Sequence, residues 1–337
     1  MNHSDINFNK KTVLITGGAG FIGSNLAFYL QNNYPNSTIV IFDCFRNEKI
    51  ISNGNLLSLG HYKNLIGFKG NIICGNINNK NDLLLLNDYK FDYIFHQAAI
   101  SDTRLYDQEI VMKTNVNSFY DLLDLAKKDN AVMVYASSAA VYGSNPAPQS
   151  IGFESPENPY GYSKYMMDQI AKNYAEKNSS MQIVGLRFFN VYGPKEFYKA
   201  KTSSMVVQLG HQLLDGKSPV LFKNSNKIFR DFIYIDDVVQ ANIRACKSKN
   251  LSNHQIYNVG TGKARSFQDI SNILQSELGT YFENKYIPNP YDGYQSNTEA
   301  DISNTCDCLG FMPIFSLEQG INAYISDIKR LHNSSNL

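Results

Sequence analysis

Short apolar segments alternate with longer amphipathic ones through the first half of the chain, which predicts alternating strands and helices. Thr12–Thr16 and Thr38–Phe42 are rich in β-branched residues, as buried strands are, and Phe21–Gln31 between them has the apolar spacing of a helix. The pattern continues with strands at Ile72–Cys74, Tyr93–His96, Val132–Ala136 and Gln182–Arg187, and helices over about Val116–Lys127 and from about Gly161. This order predicts an α/β fold built on a doubly wound parallel sheet.

The pattern changes after Asn190. Proline and glycine separate shorter elements there, and tyrosine, phenylalanine and lysine become frequent. We expect a smaller α/β lobe from about 190–230 and 256–300. Residues 1–189, together with about 231–255 and 301–330, are expected to form the larger domain.

Composition and charge exclude several classes of protein. A net charge of +1 without a clustered basic face argues against a nucleic-acid partner. No apolar run reaches the roughly 18 residues of a membrane span, and the polar N-terminus lacks the apolar core of a signal peptide. The cysteines are scattered without metal-ligand spacing, so we expect free thiols, no metal and a cytoplasmic location; they are Cys44, Cys74, Cys246, Cys306 and Cys308.

A glycine-rich turn joins the first strand to the first helix. Gly17 permits the tight turn, Gly20 lets the backbone approach a pyrophosphate, and Gly23 lets the helix pack close to the strand. Phe21 and Ile22 lie at the helix N-terminus, where unpaired N–H groups attract phosphate. The spacing predicts a Rossmann-type dinucleotide site. We therefore expect the larger domain to be the dinucleotide-binding domain and the smaller α/β lobe to be the substrate-binding lobe.

The residues after the second strand bear on which dinucleotide binds. Asp43 lies 20 residues beyond Gly23, where a carboxylate accepts hydrogen bonds from the adenosine ribose and favours NAD. Arg46 either pairs with a 2′-phosphate, which favours NADP, or is a solvated loop cation. We expect tightly bound NADP, with NAD as the alternative.

Three side chains predict proton transfer at a carbinol carbon. The i,i+4 spacing of Tyr160 and Lys164 places them on one helix face, and a nearby ammonium lowers the pKa of a phenol. Ser138 follows a strand and can hydrogen-bond the same substrate hydroxyl. Tyr160 can then exchange a proton while hydride leaves the same carbon.

With these motifs the chain resembles the extended short-chain dehydrogenases/reductases that modify nucleotide sugars, over about 11–329. The resemblance implies one cofactor per subunit and a homo-oligomer. It also implies further cofactor contacts at Asn76, where the family usually has aspartate, and at Ala98, Ala99 and Ser137. The dehydratases of this type carry an Asp-Glu pair where this chain has Ala139 and Ala140. Because methyl groups cannot shuttle protons, we do not expect dehydration.

The second half is similar to the ADP-glyceromanno-heptose 6-epimerases. The similar segments are Arg187–Lys199, Ser203–Met205, Arg230–Val238, Tyr257–Gln268 and Tyr294–Asp301. This resemblance implies that hydride leaves C6 of the heptose and returns to the opposite face, so that proton transfer is needed on both faces. Lys199 matches the second acid/base, with Lys201 as the alternative.

The same resemblance implies a set of substrate contacts, namely Ser138, Asn190, Lys199, Lys201, Ser203, Arg230 and Tyr294. Arg230 could instead form a structural ion pair, Tyr294 could be a half-buried loop aromatic, and each lysine could be a solvated charge. Two other functions stay open: a UDP- or GDP-sugar 4-epimerase or C4 oxidase, which does not need Lys199, and a non-catalytic dinucleotide-binding regulator.

Overall fold

The computed structural model describes residues 6–247, 253–290 and 295–334. The strands there are β1 Thr12–Thr16, β2 Thr38–Asp43, β3 Asn71–Cys74, β4 Tyr93–His96, β5 Val132–Ser138, β6 Ile183–Phe188, β7 Asn190–Tyr192, β8 Val220–Phe222, β9 Phe229–Tyr234, β10 His254–Val259, β11 Ala264–Ser266 and β12 Lys285–Ile287. The helices are α1 Phe21–Asn33, α2 Lys80–Leu83, α3 Gln108–Met112, α4 Ser118–Asp129, α5 Pro159–Lys177, α6 Met205–Leu214, α7 Ile235–Ala245, α8 Phe267–Leu278, α9 Ser303–Leu309 and α10 Leu317–Ser334.

Seven parallel strands form the central sheet in the order β10-β6-β5-β4-β1-β2-β3. The chain order reverses between β1 and β4, and in such sheets ligands bind outside the carboxyl ends of the strands at this reversal. The predicted doubly wound Rossmann-type fold is confirmed.

Both faces of the sheet are covered by helices, and alternate side chains of each strand point to opposite faces. Val13 and Ile15 of β1 belong to one core cluster with α1 and α7, and Leu14 belongs to the other, with α4 and α5. The interior strands are therefore apolar at nearly every position, as parallel strands covered by helices are. Their carboxyl ends are the edge at which polar chemistry can collect.

A smaller part of the fold lies beyond β6. The strands β11, β9 and β7 form a three-stranded sheet, and β12 pairs with β8. Two predicted lobe boundaries differ from these contacts. β10 extends the central sheet past residue 256, and α10 packs on α6 and α8 although 301–330 was assigned to the larger domain.

No helix within these residue ranges is long and apolar enough to cross a membrane.

Candidate active site

The glycine turn at the end of β1 has the close contacts that its spacing predicts. Gly17 has φ +70°, and a Cβ there would lie 2.7 Å from the Ala98 backbone nitrogen. A Cβ at Gly23 would lie 2.3 Å from the Gly17 carbonyl oxygen, so any side chain would force α1 away from the turn. The cap residue Gly20 makes no side-chain bond to the first turn of α1. The N–H groups of that turn, at Phe21 and beyond, therefore suit phosphate oxygens.

Asp43 ends β2 beside this turn and is buried. Its carboxylate accepts hydrogen bonds from the backbone N–H of Ala19 (2.9 Å) and of Phe45 (2.7 Å). Burial raises the pKa of Asp43, and the two backbone hydrogen bonds act against that rise. Asp43 thus already holds the glycine turn to the loop after β2, with lone pairs left for a ribose hydroxyl.

Arg46 lies in the loop after β2 with part of its guanidinium enclosed. Its Nε and Nη2 atoms are buried and have no hydrogen-bond partner. Desolvation lowers the pKa of Arg46, although a guanidinium keeps its charge in proteins. Buried donors without acceptors are costly, so these two atoms suit an anionic oxygen ligand.

The other predicted cofactor residues differ in how they are engaged. Ala98 and Ala99 follow β4 and are partly exposed beside the turn. Asn76 is exposed, and its side-chain oxygen accepts from the Asn78 backbone. Ser137 is buried and donates its hydroxyl proton to Asp168 (3.1 Å), so its side chain can contact a ligand only as an acceptor.

Ser138, Tyr160 and Lys164 come together at the carboxyl end of β5. Ser138 is hydrogen-bonded to the Tyr160 hydroxyl, and the Lys164 Nζ lies 5.9 Å from the Tyr160 ring centroid. Burial raises the pKa of Tyr160, and the hydrogen bond to Ser138 opposes the rise. Lys164 is only 1% exposed, and desolvation lowers its pKa to about 8 while Asp168 acts in the other direction.

The local sequence at the start of α5 explains why Tyr160 lies next to Ser138. Asn158 caps the helix by accepting from the Gly161 N–H (2.8 Å), and Pro159 occupies the first turn. A Cβ at Gly161 would lie 2.4 Å from the Ala140 carbonyl oxygen. Glycine at this position lets α5 approach the turn that follows Ser138, which brings the Tyr160 hydroxyl to the serine.

A buried ion network lies behind the site. Asp168 accepts from Tyr135 (2.9 Å) and from the guanidinium of Arg187 (2.8 Å), which also contacts Glu154 (2.6 Å). Burial raises the pKa of Asp168, opposed chiefly by Arg187. Because Asp168 lies four residues after Lys164 on α5, the network places negative charge one turn from the active-site ammonium.

The two candidate lysines of the later loop lie in different surroundings. Lys199 is partly buried, and its Nζ lies 5.6 Å from the ring centroid of Phe21, at the start of α1. Desolvation lowers the pKa of Lys199, while Glu196 and Asp102 act to raise it. Lys201 is exposed. Ala200 between them has φ +51°, which is unusual for a residue with a side chain.

The remaining predicted substrate residues are spread over the smaller sheet and its loops. Asn190 begins β7 and is partly exposed, and Ser203 donates to the Ala200 carbonyl (2.8 Å). Arg230 is buried and donates to the carbonyls of Phe229 and Gln295. Tyr294 lies outside the described residues.

The sequence reasoning missed Asn115. It lies in a π-helical segment between α3 and α4, Lys113–Asn117, a feature that often marks functional sites. Its side chain bonds both the N–H and the carbonyl of Ile100 (2.9 Å each) and the Ser163 hydroxyl (2.9 Å). It thereby ties the loop after β4 to the helix that carries Tyr160. A π-turn leaves no periodic signal in the sequence.

Asp102 was missed as well. It accepts from Asn53 (2.9 Å), from Asn55, and from the Arg104 N–H (3.0 Å). Burial acts to raise its pKa, but these hydrogen bonds hold it below its usual value. Within residues 6–247, 253–290 and 295–334 no acidic, histidine or cysteine cluster could hold a metal ion.

Comparison with known proteins identifies the family of this chain. Residues 13–260 match the NAD dependent epimerase/dehydratase family. The chain belongs to this family. An ADP-L-glycero-D-manno-heptose-6-epimerase from Helicobacter pylori is 47% identical, with a TM-score of 0.87 over 98% of this chain and 99% of that one. The predicted family and the predicted class of enzyme, an epimerase that depends on a nicotinamide dinucleotide, are confirmed.

Two less similar solved structures are of 4-epimerases. A UDP-N-acetylglucosamine 4-epimerase from Methanobrevibacter ruminantium is 26% identical (TM-score 0.83; 97% and 99% of the two chains). A UDP-glucuronic acid 4-epimerase from Bacillus cereus, in complex with UDP-glucuronic acid and NAD, is 28% identical (TM-score 0.82; 95% and 99%).

Proposed function

We propose that this protein is an ADP-D-glycero-D-manno-heptose 6-epimerase that oxidises C6 transiently and reduces it again from the opposite face. The observation that carries the proposal is the place of Lys199, whose desolvated ammonium faces the first residue of α1 beside the glycine turn. It provides a second proton-transfer group on a different element from Tyr160. The similarity to the Helicobacter pylori 6-epimerase supports the same assignment.

Tyr160 acts at one face of the reacting carbon. Ser138 holds the Tyr160 hydroxyl and can accept or donate to the substrate hydroxyl, which aligns the proton path. Lys164 stabilises the phenolate, because its ammonium lies close to the ring. Tyr160 takes the hydroxyl proton as the carbon is oxidised, and it would return a proton only to that face.

Lys199 acts at the other face. After the ketone has turned over in the site, Lys199 donates a proton to its oxygen as the carbon is reduced from the second side. Partial desolvation favours this role, because an amine with a lowered pKa gives up its proton more readily. Exposed Lys201 has no such environment, and we assign the second acid/base to Lys199 alone.

The cofactor is held, in this proposal, by the glycine turn, by the first turn of α1, by Asp43 and by Arg46. The bound dinucleotide supplies a nicotinamide ring that accepts hydride and gives it back within one turnover. We propose NADP rather than NAD, because Arg46 has buried, unsatisfied donors while the Asp43 carboxylate already accepts two backbone hydrogen bonds.

Substituting Arg46 tests this choice. Arg46→Ala is expected to weaken NADP binding by about 10- to 100-fold, the equivalent of one or two charge-assisted hydrogen bonds, and to leave NAD binding nearly unchanged. Calorimetric titration of cofactor-stripped protein with each dinucleotide measures both. Lys49→Ala, which removes an exposed cation from the same loop, is the matched control. Equal losses for NAD and NADP would contradict the assignment.

The substrate side of the proposal rests on the lobe built around β7, β9 and β11. Asn190, Ser203 and Tyr294 are proposed to contact the sugar or the nucleotide. Arg230 is proposed to act mainly by fixing residues next to Tyr294, since its guanidinium donates to the Gln295 carbonyl. Homo-oligomer formation and a cytoplasmic location are also proposed.

One incubation tests the function. The purified protein, with no added oxidant, is expected to convert ADP-D-glycero-D-manno-heptose into its L-glycero epimer, seen by NMR. A parallel panel of UDP- and GDP-hexoses covers the alternative, a 4-epimerase, which the distant relatives represent. Turnover of a hexose without the heptose would overturn the 6-epimerase assignment. Binding without any turnover would instead favour a regulator.

A further inference from the structure

The loop that carries Lys199 is closed at its base by a buried carboxylate. Glu196 is 0% exposed. Its Oε1 accepts from the Gly193 N–H (3.0 Å) and from the Ser204 hydroxyl (2.8 Å), and its Oε2 accepts from the Ser204 N–H (2.6 Å). One side chain therefore binds both ends of the segment 193–204, which has Lys199 near its middle.

The rest of the segment depends on short-range bonds of its own. The Lys199 N–H donates to the Glu196 carbonyl (2.9 Å), and the Thr202 hydroxyl donates to the Lys199 carbonyl (2.7 Å). Ala200, at φ +51°, sits in a conformation that L-residues adopt only when their surroundings impose it. The carboxylate of Glu196 provides such a constraint, because it fixes the distance between the two ends.

Glu196 is also one of the charges that face Lys199. The groups around the ammonium are Glu196 from its own loop, Asp102 from the loop after β4 and the apolar ring of Phe21 from α1. Lys195 on the same loop is directed elsewhere, since its Nζ donates to the Asn64 carbonyl (2.9 Å). The three hydrogen bonds to the Glu196 carboxylate all come from N–H or O–H donors, which suits the ionised form, although burial raises the pKa of Glu196.

We propose that Glu196 is a positioning residue for the reaction: it places Lys199 by closing the 193–204 loop and keeps the Lys199 amine protonated through its negative charge. This inference rests on the proposed role of Lys199 as the second acid/base. Glu196 would thus control both the position and the charge state of Lys199, the group that protonates the ketone. Glu196 itself does not contact the substrate.

A pair of variants separates charge from loop closure. Glu196→Gln removes the charge and replaces one acceptor oxygen, so about one of the three hydrogen bonds is lost. Ser204→Ala also loses one of these bonds, that of the hydroxyl, but keeps the carboxylate. Glu196→Gln is expected to lower the pKa of Lys199 by about one pH unit, because an opposite charge is removed, whereas Ser204→Ala leaves that pKa in place.

Competitive labelling of the purified, cofactor-loaded protein reads this pKa without turnover. Trace acetic anhydride is applied across a pH series, and acetylation of Lys199 is followed by peptide mass spectrometry with Lys201 as the internal reference. An unchanged midpoint in Glu196→Gln, or equal shifts in both variants, would overturn the proposal. Since no substrate is needed, the outcome stands even if the 6-epimerase assignment fails.

Kinetics provide the second readout where the wild-type protein epimerises the heptose. Glu196→Gln is expected to lower kcat by about 10- to 100-fold and to move the alkaline limb of the pH profile downward, because Lys199 loses its proton at lower pH. Ser204→Ala should lower kcat by less than about tenfold and leave the alkaline limb of the pH profile at its wild-type position. If Glu196→Gln does not fold, Glu196→Asp replaces it: withdrawing the carboxylate by one methylene should shift the labelling midpoint part of the way. A midpoint equal to wild type in that variant overturns the proposal.

Discussion

Replacing Tyr160 with phenylalanine is expected to lower kcat for epimerisation by about 10²- to 10⁴-fold, the usual contribution of a positioned acid or base. The change removes only the hydroxyl that Ser138 holds, so the substrate hydroxyl loses the group that takes its proton. KM should change little, because the ring and the surrounding contacts remain. The measurement is steady-state conversion of ADP-D-glycero-D-manno-heptose by NMR or coupled chromatography.

The matched control for this variant is Tyr162→Phe. Tyr162 lies two residues further along α5 and is 46% exposed, so it shares the helix but not the site. It should keep wild-type kcat, and both variants should keep the wild-type melting temperature and cofactor content. Activity of Tyr160→Phe within about tenfold of wild type would exclude Tyr160 as the principal acid/base.

Replacing Lys199 with methionine is expected to produce a loss of about 10²- to 10⁴-fold in kcat for the heptose epimer. Methionine retains an apolar stem of similar length against Phe21 while removing the ammonium. Tyr160 can still remove the first proton, but the ketone then lacks a proton donor on the second face. The kinetics are measured on the heptose and, in parallel, on UDP-hexoses.

Lys201→Met tests the competing assignment within the same loop. Because Lys201 is exposed, its loss is expected to cost far less than that of Lys199. A larger loss in Lys201→Met would transfer the role to that residue. Near-normal turnover in Lys199→Met would favour chemistry at the 4-position, which needs Tyr160 but no second acid/base.

Much of the dinucleotide domain was predictable because its signals are local. The predicted strands from Thr12–Thr16 to Val132–Ala136 are all strands in the structure. The interior strands are continuous apolar runs because they are buried on both faces, whereas β3 at the sheet edge is largely exposed. Glycine spacing marked the turn because only glycine tolerates the contacts at positions 17 and 23. Tyr160 and Lys164 were predicted from their helical spacing together with Ser138 and the glycine turn that precede them in the chain.

The smaller lobe was predicted less well for a physical reason. Its strands β7, β8, β11 and β12 have three residues each, too few to show an alternation. Whether α10 packs on the lobe or on the central sheet depends on contacts with α6 and α8, which are distant in the chain. Asn115 and Asp102 were not predicted, because their hydrogen-bond partners lie in distant segments of the chain.

The sequence by itself determined the fold class and the glycine turn, because backbone sterics and periodic burial are properties of short segments. It also predicted the triad of Ser138, Tyr160 and Lys164 from spacing and motif order, and the two candidate lysines from the resemblance to the heptose 6-epimerases. Only the tertiary structure distinguished Lys199 from Lys201 and left the donors of Arg46 buried without acceptors. Desolvation decided both points, and desolvation depends on which distant segments fold over a side chain.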